Sequence, residues 1–176
     1  KPVYDLAQNE AGILYAATNV GLYRFTELED EGERLVFGDT RAVFIDPEYF
    51  DTLYLGTTRG MMVSEDGGQT WQDAGLPNVP IHNLRYIPPP RTLYAMTKEG
   101  IFRTVLPQVT MEPETTPSGK TSGTPIPWRK PLTLTRQVKY SREYFDVQSL
   151  LAFEGHMYAG MEGGVFVSTD GGVTWQ

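Results

Sequence analysis

One twelve-residue pattern recurs along the chain and limits its folds more than any other feature. Four segments align without a gap: "LYAATNVGLYRF" (14–25), "LYLGTTRGMMVS" (53–64), "LYAMTKEGIFRT" (93–104) and "MYAGMEGGVFVS" (157–168). Each contains a glycine at the same place, and these are Gly21, Gly60, Gly100 and Gly164. The first three units are about forty residues long, and the last step is longer. A repeat of this length is typical of architectures in which each unit covers its faces against its neighbours.

Each unit has the pattern of an antiparallel strand pair. Leu14 and Ala16 alternate with Tyr15 and Ala17, as in a half-buried strand, and the shared glycine gives the turn its backbone freedom. Apolar runs precede every pair, as "PVYDLAQ", "RAVFIDP", "IHNLRYI" and "VQSLLAFEG", and others follow, as "RLVFG" and "TWQDAG". The pattern predicts an all-β chain, a β-propeller of four-stranded antiparallel blades with four blades visible. We expect one propeller domain over 1–176, with blades at about 2–40, 41–78, 79–137 and 138–176.

The third unit contains an insertion of unusual composition. Residues 105–137 hold six of the 13 prolines together with many Thr and Ser. Such a composition buries too little apolar area to order itself, so we expect disorder over 107–127. The insertion is either a tolerated surface loop or a contact arm for a partner.

An eight-residue turn occurs twice, as "SEDGGQTW" (64–71) and "STDGGVTW" (168–175). The Asp side chain can accept hydrogen bonds from its own loop, the paired glycines allow positive φ, and the Trp ring can wedge between sheets. A calcium loop or an acid catalyst is the alternative, but one carboxylate supplies too few oxygens for calcium. We therefore predict a structural role for Ser64, Asp66, Gly67, Gly68, Thr70, Trp71, Ser168, Asp170, Gly171, Gly172, Thr174 and Trp175.

Both octapeptides match Ser-x-Asp-Gly-Gly-x-Thr-Trp, and the chain thereby resembles the Asp-box, or bacterial neuraminidase repeat, β-propeller superfamily. That superfamily includes sialidases, xyloglucan-cleaving hydrolases, sortilin-type receptors and photosystem assembly factors. Only units two and four carry the full box. Unit one has an acidic loop in its place, formed by Glu27, Glu29, Asp30, Glu31 and Glu33.

The resemblance implies a ring of six or more blades, an extracytoplasmic location (secreted or periplasmic), and boxes on the face away from the usual ligand site. Unit four stops one residue after Trp175. We therefore expect a portion of a larger ring, with self-association of two halves and a closed four-blade ring as alternatives. An exposed blade face would favour association with missing blades of the same chain or with a second copy.

The turns between the second and third strands, together with the connections between blades, form the rim on which propellers usually bind ligands. They place a chemically mixed set of side chains around this rim. The set is either an ordinary solvated surface or a binding face. Our candidate binding residues are Asn19, Arg59, Lys98, Glu99 and Glu162.

Charge and composition exclude several partners. Fifteen Lys and Arg against 22 Asp and Glu give a net charge of −7, which disfavours nucleic acid. No apolar run is long enough to span a membrane. The chain has no cysteine, and His82 and His156 lack partners at metal-ligand spacing, so we predict no metal and no cofactor.

Two classes of function remain open. The first is a non-catalytic binding or scaffold module that presents a rigid face to a protein or peptide. The alternative is a glycoside hydrolase, sialidase-like or xyloglucanase-like, or an inactive glycan-binding relative. The chain lacks the Arg-Ile-Pro motif of sialidases, and Asp46 and Asp51 fall in a turn on the face opposite the expected cleft. Catalysis is therefore the less favoured class, and no catalytic residue is predicted.

Overall fold

A computed structural model describes residues 1–27, 31–106, 147–161, 164–172 and 174–176, and the backbone of 135–136. No helix occurs in these ranges. The strands are β1 Val3–Gln8, β2 Leu14–Thr18, β3 Gly21–Phe25, β4 Glu33–Phe37, β5 Thr40–Ile45, β6 Leu53–Thr57, β7 Gly60–Ser64, β8 Gln72–Gly75, β9 Ile81–Ile87, β10 Thr92–Thr97, β11 Gly100–Val105, β12 Thr135–Arg136, β13 Val147–Phe153, β14 His156–Met161 and β15 Gly164–Ser168.

The strands form four antiparallel sheets, one for each repeat unit. Sheet one is β1-β2-β3-β4, sheet two β5-β6-β7-β8, sheet three β9-β10-β11-β12, and sheet four β13-β14-β15. In sheet four, Val167 and Gln176 exchange two backbone hydrogen bonds of 2.9 Å, at the place where Val63 pairs with Gln72 in sheet two. The predicted insertion at 107–127 falls between β11 and β12 and lies outside the described residues. The prediction of all-β propeller blades is confirmed.

The four sheets follow one another face to face. Their inner strands are neighbours in chain order, with β1 beside β5, β5 beside β9, and β9 beside β13. The second residue of each repeat segment is a tyrosine, and in sheets one to three it lies on the face turned toward the next sheet, as Tyr15, Tyr54 and Tyr94. Tyr158 holds the same position in sheet four. We call the face of this tyrosine the forward face of a sheet and the opposite one its rear face. Side chains alternate between the two faces along every strand.

The core consists of three clusters, each between two successive sheets. Tyr15 and Leu22 pack on Val43, Leu53 and Leu55. Tyr54 and Met61 pack in the same way on sheet three, and Tyr94 and Ile101 on sheet four. Sheets one to three therefore each bury a forward face against the rear face of the next sheet. Burial of these apolar faces stabilises the stack at about 25 cal/mol per Å² of apolar area.

The turns divide into two opposite faces of the stack. The β2–β3 and β6–β7 turns lie with the connections between sheets, since the Thr18 N–H donates to Thr40 Oγ1 at 3.0 Å. We call this the rim face. The β5–β6 turn lies with the box loop on the other face, because the Gly67 N–H donates to the Asp51 carbonyl at 2.9 Å. We call this second face the box face.

Candidate functional site

The first box loop is closed by hydrogen bonds among its own residues. Ser64 Oγ donates to Asp66 Oδ1 at 2.8 Å and accepts the N–H of Gly68 at 2.8 Å. The Asp66 carboxylate also accepts the Thr70 N–H at 2.8 Å and the Thr70 hydroxyl at 2.6 Å. The second box repeats these bonds with the same distances, between Ser168, Asp170, Gly172 and Thr174.

The pKa of Asp66 reflects this loop. Partial burial raises the pKa, but the hydrogen bonds from Thr70 and Ser64 outweigh burial and lower it below its ordinary value. The carboxylate is therefore held ionised as the acceptor that closes the turn. Its oxygens are directed into the loop rather than toward a ligand.

The tryptophan of each box anchors the loop to the sheets. Trp71 Nε1 donates to the Gly68 carbonyl at 2.9 Å, and Trp175 Nε1 donates to the Gly172 carbonyl at 3.1 Å. Trp71 packs with the cluster between sheets one and two, and Trp175 is buried in the cluster between sheets three and four. Gly68 has a φ of +93°, and an added Cβ would stand 2.5 Å from Leu35 of the preceding sheet. This close approach is open only to glycine.

The box face also holds a buried ion pair that sequence reasoning missed. Arg91 Nη2 lies 2.5 Å from Asp46 Oδ1 and 2.7 Å from Oδ2, and Arg91 Nε lies 3.0 Å from Glu48. The side chains of Arg91 and Asp46 are 6% and 2% exposed. Burial alone would lower the pKa of Arg91, but Asp46 raises it above its ordinary value, so the guanidinium stays charged. The sequence signal for this pair is that an acidic residue and a basic residue occupy corresponding turns of successive units.

On the rim face, a groove of about 410 Å³ lies between sheets one and two. Its floor consists of the start of β5 and the start of β7, and the connection from β4 to β5 and the β6–β7 turn form its walls. The lining residues with a bearing on recognition are Asp39, Thr40, Thr58, Arg59, Met62 and Asp73. The groove thus combines polar walls with thioether and backbone surface.

Asp39, on one wall of this groove, is held by an ion pair with Arg41, which lies behind the residues that line the groove. Arg41 Nη2 lies 2.6 Å from Asp39 Oδ2, and both side chains are about one-third exposed. The hydrogen bond to Asp39 raises the pKa of Arg41, although partial burial opposes it. The Arg41 guanidinium also lies 4.2 Å from the ring centroid of Tyr4. Arg41 is therefore a fixed cation, held between a carboxylate and an aromatic ring.

The opposite wall is the β6–β7 turn. The Arg59 N–H donates to Thr57 Oγ1 at 3.0 Å, and the Arg59 carbonyl accepts the N–H of Asn78 at 2.8 Å. The backbone is thereby fixed while the Arg59 side chain is exposed. Asp73, on the outer strand, accepts the N–H of Gly75 at 2.7 Å.

The five rim candidates do not all meet at this groove. Arg59 lines it, whereas Asn19 and the pair Lys98 and Glu99 are exposed in the corresponding turns of sheets one and three. Glu162 lies outside the described residues. Sequence reasoning did not find Asp39 or pair it with Arg41. The sequence signal that could have indicated this pair is an acidic residue in the connection between blades, two positions before a basic residue.

Within the described ranges, no group of three or more side chains of the metal-ligating types comes together. Nor does that part of the chain contain a helix of the length and apolarity needed to cross a membrane.

Comparison with known proteins identifies the repeats. The BNR/Asp-box repeat family model matches residues 62–73 and 166–176. No curated protein sequence matches the chain.

Several solved structures share the fold. An ancestral GH74 enzyme superposes with a TM-score of 0.70 at 18% identity, over 99% of this chain and 23% of that one. YCF48 bound to D1 peptide has a TM-score of 0.62 at 14% identity, over 99% of this chain and 53% of that one. The extracellular domain of a B. thetaiotaomicron protein has a TM-score of 0.60 at 18% identity, over 100% and 22%.

The chain thus spans from under a quarter to about half of the length of these structures, and the likeness is one of fold. Together, the two matched boxes and the stacked four-stranded sheets confirm the resemblance noted in the sequence. The chain thus carries two BNR/Asp-box repeats in a stack of propeller-type blades.

Proposed function

We propose that this chain is a non-catalytic binding module, and that its rim face, at the groove between sheets one and two, takes up a protein or peptide. The observation that carries the proposal is the groove wall itself. Asp39 is held on one wall by its ion pair with Arg41, and Arg59, exposed on a rigid turn, lines the same 410 Å³ groove. Arginine and aromatic side chains on a rigid frame are the groups enriched in protein interfaces.

Both carboxylates in the groove already accept bonds from the chain itself. Asp39 is bonded to Arg41, and Asp73 accepts from Gly75. Glycoside hydrolysis needs two carboxyl groups free to face the cleaved bond. On the other face, Asp46 is buried and bound by Arg91. Because these carboxylates are already bonded within the chain, the structure favours binding over hydrolysis.

Two of the compared structures support the proposal. One structure with this fold is described as bound to a peptide, and another as an extracellular domain. An extracytoplasmic location is part of the proposal on that ground. The likeness to a GH74 enzyme keeps glycan binding as the competing function to be tested.

The test begins with random peptides displayed on phage and selected on the immobilised chain. We expect a selected peptide to bind the Arg59→Ala variant at least about tenfold more weakly, a loss of about 1.4 kcal/mol. Lys98→Ala is the matched control, since it removes an exposed cation from the corresponding turn of sheet three. Equal binding by both variants would contradict the proposed site. Turnover of sialosides or β-glucans by the chain would contradict a non-catalytic role.

A further inference from the structure

The third strands of sheets one and three carry an arginine at the same register position. Arg24 pairs with Tyr15 in sheet one, and Arg103 pairs with Tyr94 in sheet three. Both tyrosines lie on the forward faces of their sheets. Residues directly opposite each other in an antiparallel pair share a face, so both arginines lie on the side that packs against the next sheet.

Each arginine reaches the box loop of the following sheet. Arg24 Nη1 donates to the Gly67 carbonyl at 3.4 Å, and Arg103 Nη1 donates to the Gly171 carbonyl at 3.1 Å. Gly67 and Gly171 are the first glycines of the two boxes, and both have a φ of +69°. The Tyr15 hydroxyl donates to the same Gly67 carbonyl at 3.3 Å. Both boxes thus present the same backbone oxygen to an arginine of the preceding sheet.

The junction between sheets two and three is built differently. At the register position of the arginines, sheet two has Val63, which pairs with Tyr54 and is 2% exposed. The sequence of unit three contains no box for an arginine to hold. Val63 packs in the apolar cluster between the two sheets, and the pair of Arg91 and Asp46 ties them on the box face. An arginine therefore stands before each sheet that has a box, and a valine before the sheet that has none.

We propose that the box is a docking element for the preceding sheet, and that each arginine and box carbonyl form a clasp. The clasps join the sheets in pairs, one with two and three with four. A guanidinium is a charged donor, and in a partly dehydrated junction its hydrogen bond is stronger than in water. Arg24 also lies 2.5 Å from Glu33 Oε2, which holds its guanidinium in place. Opening of a box loop breaks this bond, so the clasp couples local opening of the loop to the contact between two sheets.

Hydrogen exchange of the box amides in the full chain, followed by NMR, tests the clasp. The amide of Gly68 is bonded inside the first box and that of Gly172 inside the second, so their exchange reports the opening of each loop. Arg24→Met should speed exchange in the first box about tenfold or more and leave the second unchanged, because a hydrogen bond to a charged group is lost. Arg103→Met should speed exchange in the second box and leave the first unchanged.

Two further variants make the test specific. Arg34→Met is the matched control, because it removes another cation of sheet one, whose guanidinium lies over the Phe37 ring, and it should leave both boxes unchanged. Arg24→Lys keeps a charged donor, so its acceleration should be smaller than that of Arg24→Met and confined to the first box. This milder variant carries the same comparison of the two boxes if Arg24→Met does not fold.

Two results would overturn the proposal. Equal acceleration of both boxes by Arg24→Met or Arg24→Lys would show a general loss of stability rather than release of one clasp. Unchanged exchange in the first box of either variant would show that the arginine does not hold the loop. Circular dichroism checks that each variant is folded.

Discussion

Arg91 of sheet three binds both carboxylate oxygens of Asp46 in sheet two, at 2.5 and 2.7 Å, across the interface of two neighbouring sheets. The two side chains are almost fully buried. A pair of this kind contributes little beyond its cost of desolvation while intact, but removal of one partner leaves an uncompensated buried charge. The pair therefore fixes how two sheets meet.

Breaking this pair should be costly. We expect Asp46→Asn or Arg91→Met to lower the free energy of unfolding by about 3–5 kcal/mol. Urea unfolding measures the loss. Arg41→Met is the control, because the Arg41–Asp39 pair is about one-third exposed and should cost about 1 kcal/mol or less. Equal losses in the two pairs would show that burial does not set their contribution.

The box carboxylate should stabilise the loop through its charge. Asp66→Asn should cost about 1–3 kcal/mol at neutral pH, since the carboxylate accepts bonds from Ser64 and Thr70. The pKa of Asp66 is lowered from 3.8, so its contribution is present above about pH 3.8 and is lost as pH falls through the folded pKa. The free energies of unfolding of the wild type and of Asp66→Asn, measured between about pH 6 and pH 2, should therefore converge at the acid end. A constant difference would contradict this origin.

Asp5 should respond to pH in the opposite direction. Burial raises the pKa of its carboxyl group above 3.8, although the N–H groups of Val43 and Leu6 partly offset the effect. The folded state then favours the protonated acid, so wild-type stability relative to Asp5→Asn is highest below about pH 3.8 and falls as pH rises through the folded pKa. Urea unfolding of the wild type and of Asp5→Asn over the same pH range measures this difference in stability. Growth of the wild-type advantage with rising pH would contradict the expectation.

Gly56 should tolerate no side chain, because an added Cβ would stand 2.7 Å from Ile81 Cγ2 and 3.3 Å from the Cβ of Ala42. Gly56→Ala should destabilise the chain by about 1–3 kcal/mol through overpacking between sheets two and three. Adding Ile81→Ala removes the nearest atom, so the double variant should lose less than the sum of the two single losses. Strict additivity, measured by urea unfolding, would argue against a steric cause.

The repeat segments predicted most of the fold, because their glycines and alternating side chains determine the structure of a single hairpin. The turn from Thr57 to Gly60 and the box from Ser64 to Trp71 are local in the same sense. Asp46 and Arg91 are 45 residues apart, and their contact depends on how two sheets stack. The position of Asp39 on the groove wall likewise depends on the path of the connection between the two sheets. The periodicity of a single sequence specifies neither the contact between Asp46 and Arg91 nor the wall of the groove.

The central claim is that a peptide binds on the rim face, whereas the box loops have a structural role. Hydrogen exchange of the chain, measured with and without a selected peptide, tests this claim most directly. We predict added protection in 36–40 and 57–62, which line the groove, and unchanged exchange in the box loop at 64–71. Protection confined to that loop or to the turn at 46–52 would place recognition on the opposite face and contradict the account.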